Sequence, residues 1–289
     1  MQKSLLKLHI AVFLWGFTGV LGKTIQLGEA MLVWYRILLT VIILLLLQTG
    51  TFKQIKNIPN KSKLKLAASG FIIVLHWILF YGCIKYSNVS IALTCLSASG
   101  FFTALLNPLL GDKKVHMAEL LLGFLGILGV YLIFHFDPSY KIGIIIGLFS
   151  TLCSVLFSLI NKHLVASLQP KTVMTFQLSA GWIILTILLP FYLHFFPEKQ
   201  LIPTASDWFW LFILASFCTV LAMNLSLQAL KSVSAFTQNL TLNLEPVYGI
   251  ILAFVIYKEN SYLNTGFYWG FGLIIFSVFL QMLRVTKKS

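Results

Sequence analysis

Three ionisable residues sit inside apolar runs, where a polar group is hardest to keep: Glu245, His76 and Arg36. Such residues are expensive in a bilayer and are candidates for function by default. Glu245 falls about eleven residues into its run, roughly 16 Å at 1.5 Å per residue, close to mid-depth. His76 falls about ten residues into its own run, at similar depth. Arg36 lies about six residues from one end. A carboxylate at mid-depth can exchange a proton or hold a cation or amine. An imidazole titrates near neutrality and suits proton coupling or solute contact. A packed His bonded to a carbonyl is an equal reading for His76. Arg36 reads as structural, snorkelling to headgroups or pairing with a carboxylate.

The neighbours of Glu245 strengthen its case. Gln238, Thr241, Glu245 and Tyr248 share one face by helical spacing. Pro246 donates no backbone hydrogen bond and frees a carbonyl one turn earlier, so a local break beside the acid is expected. Further polar contacts to a solute are sought at Thr94, Ser97, Thr219 and Asn224, with helix–helix hydrogen bonding as the alternative. Trp15, Trp77 and Tyr81 could line an apolar cavity or face lipid. Small residues step by three or four through Gly143, Gly147, Ser150, Ser154 and Ser158, and again through Gly123, Gly126, Gly129, Gly266 and Gly270. These read as packing seams that let backbones approach. No nucleotide loop, zinc pattern or nucleophile elbow is present, and no cofactor or metal is called for.

The elements that must carry these residues follow from composition. Of 289 residues, 58% are hydrophobic and 10% charged, too few charges to cover a water-soluble globule, so the main solvent is lipid. The net charge of +13 resides in short links between apolar runs. That reads as topogenic charge and argues against a nucleic-acid partner. Cys83, Cys95, Cys153 and Cys218 lie in apolar runs without metal or disulfide spacing. The basic stretch Met1 to Lys7 leads into a first helix and not a cleaved signal peptide.

Ten runs approach the length a spanning helix needs: 8–24, 31–48, 67–84, 89–110, 117–135, 142–160, 172–193, 207–226, 234–256 and 263–283. With the N-terminus inside, about fifteen Lys and Arg fall in inside segments and about five in outside ones. Both termini are therefore expected in the cytoplasm, in a bacterial inner membrane. The expected fold is all-α, ten helices as two inverted five-helix repeats around a central cavity, residues 1–136 and 137–289. The repeat shows in paired links: Gly111-Asp112-Lys113 against Lys258-Glu259-Asn260, and Lys85-Tyr86-Ser87-Asn88-Val89-Ser90 against Lys231-Ser232-Val233-Ser234. An odd number of helices per copy inverts the second copy, a known construction for alternating access.

These features resemble the drug/metabolite transporter superfamily, in its ten-helix EamA-type branch. The resemblance rests on Leu14-Trp15-Gly16-Phe17 with Lys23, on Arg36, and on Ser-Val-Ser followed by Glu245-Pro246-Val247 and Lys258-Glu259. Asp112 stands where the family usually has Glu, and Pro108 sits later in its helix than Pro246 does. The resemblance implies export or exchange of small metabolites or drug-like solutes without ATP hydrolysis. Proton coupling is one option, and the expected partners are a small-molecule substrate and membrane lipids. Oligomeric state stays open, a homodimer included. Two other readings remain: an intramembrane lipid-modifying enzyme, for which His, Asp and Glu are too few and scattered, and a channel or scaffold, for which no filter loop appears.

Overall fold

The computed structural model describes residues 2–47, 58–110, 117–136, 138–242 and 244–286. All regular structure among them is helical. With no water in a hydrocarbon layer, backbone groups must be satisfied within each segment, and helices do this. In order these are α1 (Gln2–Thr24), α2 (Glu29–Leu47), α3 (Asn60–Tyr86), α4 (Val89–Leu96), α5 (Ser99–Leu110), α6 (Met117–Phe136) and α7 (Lys141–Ser167). Then come α8 (Pro170–Phe195), α9 (Ala205–Ala215), α10 (Ala222–Leu230), α11 (Ala235–Leu242), α12 (Glu245–Tyr257) and α13 (Thr265–Thr286). Seven helical stretches among the described residues are long and apolar enough to cross a membrane; Leu120–Ile133, Glu245–Tyr257 and Thr265–Ser277 are shorter apolar helices.

Large apolar side chains are exposed around the bundle, such as Leu46, Ile187, Phe191, Val255 and Trp269. Polar ones are buried, including Arg36, Gln177, Asp207 and Glu259. This distribution suits lipid outside and packed polar contacts within. α3 packs most extensively on α7, and α6 on α13. The second pairing depends on Gly129 and Gly270: a Cβ on either would clash with the other's carbonyl oxygen. The backbones touch because neither residue has a side chain. Ser277 also donates to the Leu122 carbonyl across this pair.

Three of the expected continuous helices are interrupted. The run 89–110 breaks at Ser97 and Ala98, where i→i+3 bonds to Thr94 and Cys95 replace the helical ladder. The run 234–256 breaks before Glu245, because Pro246 at the first turn of α12 has no N–H to continue the ladder from α11. Between α9 and α10, Ser216–Leu221 form a π-helical turn. There Thr219 Oγ1 donates to the Leu214 carbonyl five residues back. Such single π turns are frequent at functional sites. The two matched links also open helices in one way. The Asn88 side chain accepts from Ile91 N–H, and Ser234 Oγ accepts from Thr237 N–H. Each is a side-chain cap on a donor the helix start leaves free. Asp112 and its link lie outside the described residues.

Candidate functional site

A cavity lies within the bundle, lined by α1, α2, α3, α7, the π turn and the broken helix α11–α12. It encloses about 900 Å³ free of protein atoms, counting the part that opens outward. α1 supplies Trp15 and Thr18, α2 Arg36, and α3 Ile73, His76, Trp77 and Phe80. α7 supplies Ser154, Phe157, Ser158 and Asn161. The π turn adds Cys218 and Thr219, and the broken helix α11–α12 adds Gln238 and Glu245.

Arg36 is buried on the wall and held on three sides. Its Nε donates to Thr219 Oγ1 at 2.9 Å, and its Nη1 to the Tyr81 hydroxyl at 2.8 Å. The guanidinium carbon lies 3.9 Å from the centre of the Trp77 ring, a cation–π contact. With 1% of its surface exposed, Arg36 does not snorkel to headgroups. Nor does it pair with a carboxylate: among the described residues Lys23–Glu259 is the ion pair formed. Three polar and aromatic partners fix the guanidinium inward, which the sequence spacing did not reveal.

Glu245 opens α12 and faces the same space. Among the described residues no group donates to its carboxylate. The expected one-face stripe is replaced by the helix break. Gln238 and Glu245 line the cavity, Thr241 Oγ1 turns back to the Thr237 carbonyl, and the Tyr248 ring packs edge-on against Phe13. His76 Nδ1 lies 2.9 Å from both the carbonyl oxygen and the hydroxyl of Ser150, which orients the ring on the wall. Trp15 lines the cavity while its indole N–H donates to the Cys218 carbonyl of the π turn.

The remaining sequence candidates separate by position. Trp15, His76, Trp77, Thr219, Gln238 and Glu245 meet on the wall. Tyr81, Thr94, Ser97, Asn224, Thr241 and Pro246 do not line it. Tyr81 is fully buried behind Arg36, and Thr94 donates to the Ser90 carbonyl within its own helix. Ser97 sits in the α4–α5 break, with its carbonyl oxygen 3.2 Å from where a Gly126 Cβ would stand. The serine stripe of α7 is also divided. Gly143 packs on Ser87 and Gly147 on Cys83 and Cys95, whereas Ser154 and Ser158 turn to the cavity. Asn161 was missed as a site residue, although it continues that stripe by three.

The ends of α1 and α12 meet the start of α4 in a clasp of hydrogen bonds whose residues do not line the cavity. Glu259 Oε1 accepts from Lys23 at 2.9 Å and from Val89 N–H at 3.2 Å. Its Oε2 accepts from Ser90 N–H at 2.9 Å and Ser90 Oγ at 2.6 Å. Burial pushes the Glu259 carboxyl up, but Ser90 and Lys23 outweigh it and hold it below the usual carboxylate range. Glu198 accepts from Ala30 N–H at 2.8 Å and Met31 N–H at 3.3 Å at the start of α2. Its carboxyl is pushed up, chiefly by burial. Asp207 Oδ1 accepts from Gln26 N–H at 2.9 Å. All three carboxylates come from the second half of the chain and hold backbone donors of the first.

A helical membrane protein with a polar cavity at the meeting of two halves is the class this architecture defines. The profile of the EamA-like transporter family matches residues 2–135 and again 141–283. The chain belongs to that family, whose two-repeat architecture it shares. No curated protein matches. One solved crystal structure of a protein is similar over 100% of this chain and 99% of that chain, at a TM-score of 0.72 and 14% identity. That likeness concerns the fold alone.

Proposed function

We propose that this transporter is a secondary-active carrier, an exporter or exchanger of small metabolites or drug-like solutes, working by alternating access with proton coupling at Glu245. Ten spans, as inverted repeats over 1–136 and 137–289, would lie in a bacterial inner membrane with both termini cytoplasmic. The Lys bias of the links supports that orientation. It puts the Glu259 clasp outside.

One observation carries the reading: an acid without a hydrogen-bond partner among the described residues shares a cavity with a buried Arg36 to which it is not ion-paired. A carboxylate that none of the described groups satisfies is available to a proton or a solute. Coupling requires each to change the other's binding, and that dependence is reciprocal. The test is flux in proteoliposomes under an imposed pH gradient. Glu245→Gln keeps the shape but cannot ionise. It is expected to abolish gradient-driven flux while the protein still purifies as a folded species. Wild-type gradient dependence in that variant would make Glu245 a structural acid.

A further inference from the structure

We propose that Lys23 and Lys162 are equivalent halves of one gating device: Lys23 clamps the α3–α4 elbow on one face of the membrane, and Lys162 clamps the α10–α11 elbow on the other. The assignment of faces rests on the alternating-access carrier proposed above.

The two lysines hold the same place in the two copies that the family profile matches. Each stands twenty-one residues after the first matched residue of its copy, 2 or 141. Each lies toward the C-terminal end of the helix that opens its copy, α1 or α7. In an inverted arrangement of the copies, the two side chains reach opposite faces.

They meet chemically different elbows. The α3–α4 elbow presents backbone donors, because the first N–H groups of a helix have no partner within it. An ammonium has three donors and no acceptor, so Lys23 cannot hold them directly. Glu259 stands between, accepting from Val89 N–H, Ser90 N–H and the Lys23 ammonium. The α10–α11 elbow presents acceptors, because the last carbonyls of a helix are likewise left free. Lys162 Nζ therefore binds this elbow without an acid. It donates to the Leu230 carbonyl at 2.8 Å and to the Val233 carbonyl at 2.6 Å. Leu230 ends α10, and Val233 lies just before α11. A cation at a helix C-terminus also meets the favourable end of the helix dipole.

Both elbows carry cavity wall. Gln238 Nε2 of α11 donates to Ser226 Oγ of α10 at 2.8 Å, and both residues line the cavity. The two helices are thus tied to each other beyond their elbow and shift with it as a unit. Lys7 Nζ adds a bond from the first copy, to Gln228 Oε1 of α10 at 2.7 Å. On the other elbow, α4 leads through its break to Leu96 and Ser99, which line the same cavity. Releasing one clamp frees one elbow and the wall it carries, while the other clamp keeps the opposite face shut.

Access to the cavity is measured on the full-length protein in oriented membrane vesicles. Ser154→Cys places a thiol on the cavity wall, and Cys218→Ser removes the native thiol there. A membrane-impermeant methanethiosulfonate is applied from either face, and the labelled site is identified by mass spectrometry. Lys23→Met and Lys162→Met keep the apolar stem and lose the donors. Lys23→Met should raise the labelling rate from outside about fivefold or more, and Lys162→Met the rate from the cytoplasm by a similar factor. Lys162→Arg, which keeps charge and donors, should return the wild-type pattern. Should Lys162→Met not purify as a folded species, Lys162→Gln, shorter and neutral, carries the same expectation. The inference is overturned if both lysine variants raise labelling from the same face. It is also overturned if loss of the Lys162 ammonium leaves both rates within about twofold of wild type. Counterflow by the wild-type protein with labelling unmoved would sink this inference and leave the carrier reading standing. Face-specific labelling without counterflow of any solute would support the clamps and sink the carrier reading.

Discussion

The clasped end and the cavity both bury carboxylates, and they treat them in opposite ways. Glu259 accepts from two backbone N–H groups, a hydroxyl and an ammonium. Glu198 and Asp207 likewise take backbone donors from the facing half. Glu245 takes none among the described residues. Buried polar groups that serve the fold are satisfied, because an unsatisfied one costs about 1–3 kcal/mol. A fold that saturates three carboxylates and leaves a fourth open separates clasp from site.

The largest effect on stability should follow Glu259→Ala. It strips the Val89 and Ser90 N–H groups of their acceptor and takes away the carboxylate that pairs with Lys23. A loss on the order of 3 kcal/mol is expected, read as a lower unfolding midpoint in detergent. Glu245→Ala should shift that midpoint by less than about 1 kcal/mol, since no hydrogen bond is lost, while flux disappears. Equal shifts for the two variants would break the distinction between clasp and site. Next comes Gln238→Trp, which fills the cavity beside α11 and should block flux in folded protein. Unchanged flux would remove α11 from the path.

A smaller effect separates the clasp carboxylates by pH. Glu259 is held below its ordinary range, so its contribution is present above that range and is lost as pH falls through its depressed value. Glu198 is pushed above its ordinary range. Its contribution has the opposite sign: present below that range and lost as pH rises through the raised value. Glu259→Gln should therefore flatten the acid limb of the stability profile and Glu198→Gln the limb above it. The mildest test perturbs nothing: cysteines placed at Lys61 and Lys199 should label from opposite faces of the membrane. Labelling from one face would exclude the ten-span orientation.

Much was legible in the residues themselves. Composition excludes a soluble globule, and run lengths mark the helices. The depth of Glu245, His76 and Arg36 singles out three groups that the structure gathers on one wall. Pro246 foretells the break that turns Glu245 into the first residue of α12. Helical periodicity places residues on a common face, but it does not say what that face meets. Thr94 and Ser158 are both polar residues in apolar helices. One satisfies itself on a carbonyl four residues back, and the other borders the cavity. Tyr81 shares a face with Trp77 by spacing, yet it ends behind Arg36 as its support. The clasp joins Lys23 to Glu259 across 236 positions. Local sequence fixed the helices and their polar stripes because backbone bonding and lipid burial are local. Which stripes became seam, support or cavity wall depended on helix neighbours far apart in the chain, and only their packing decided it.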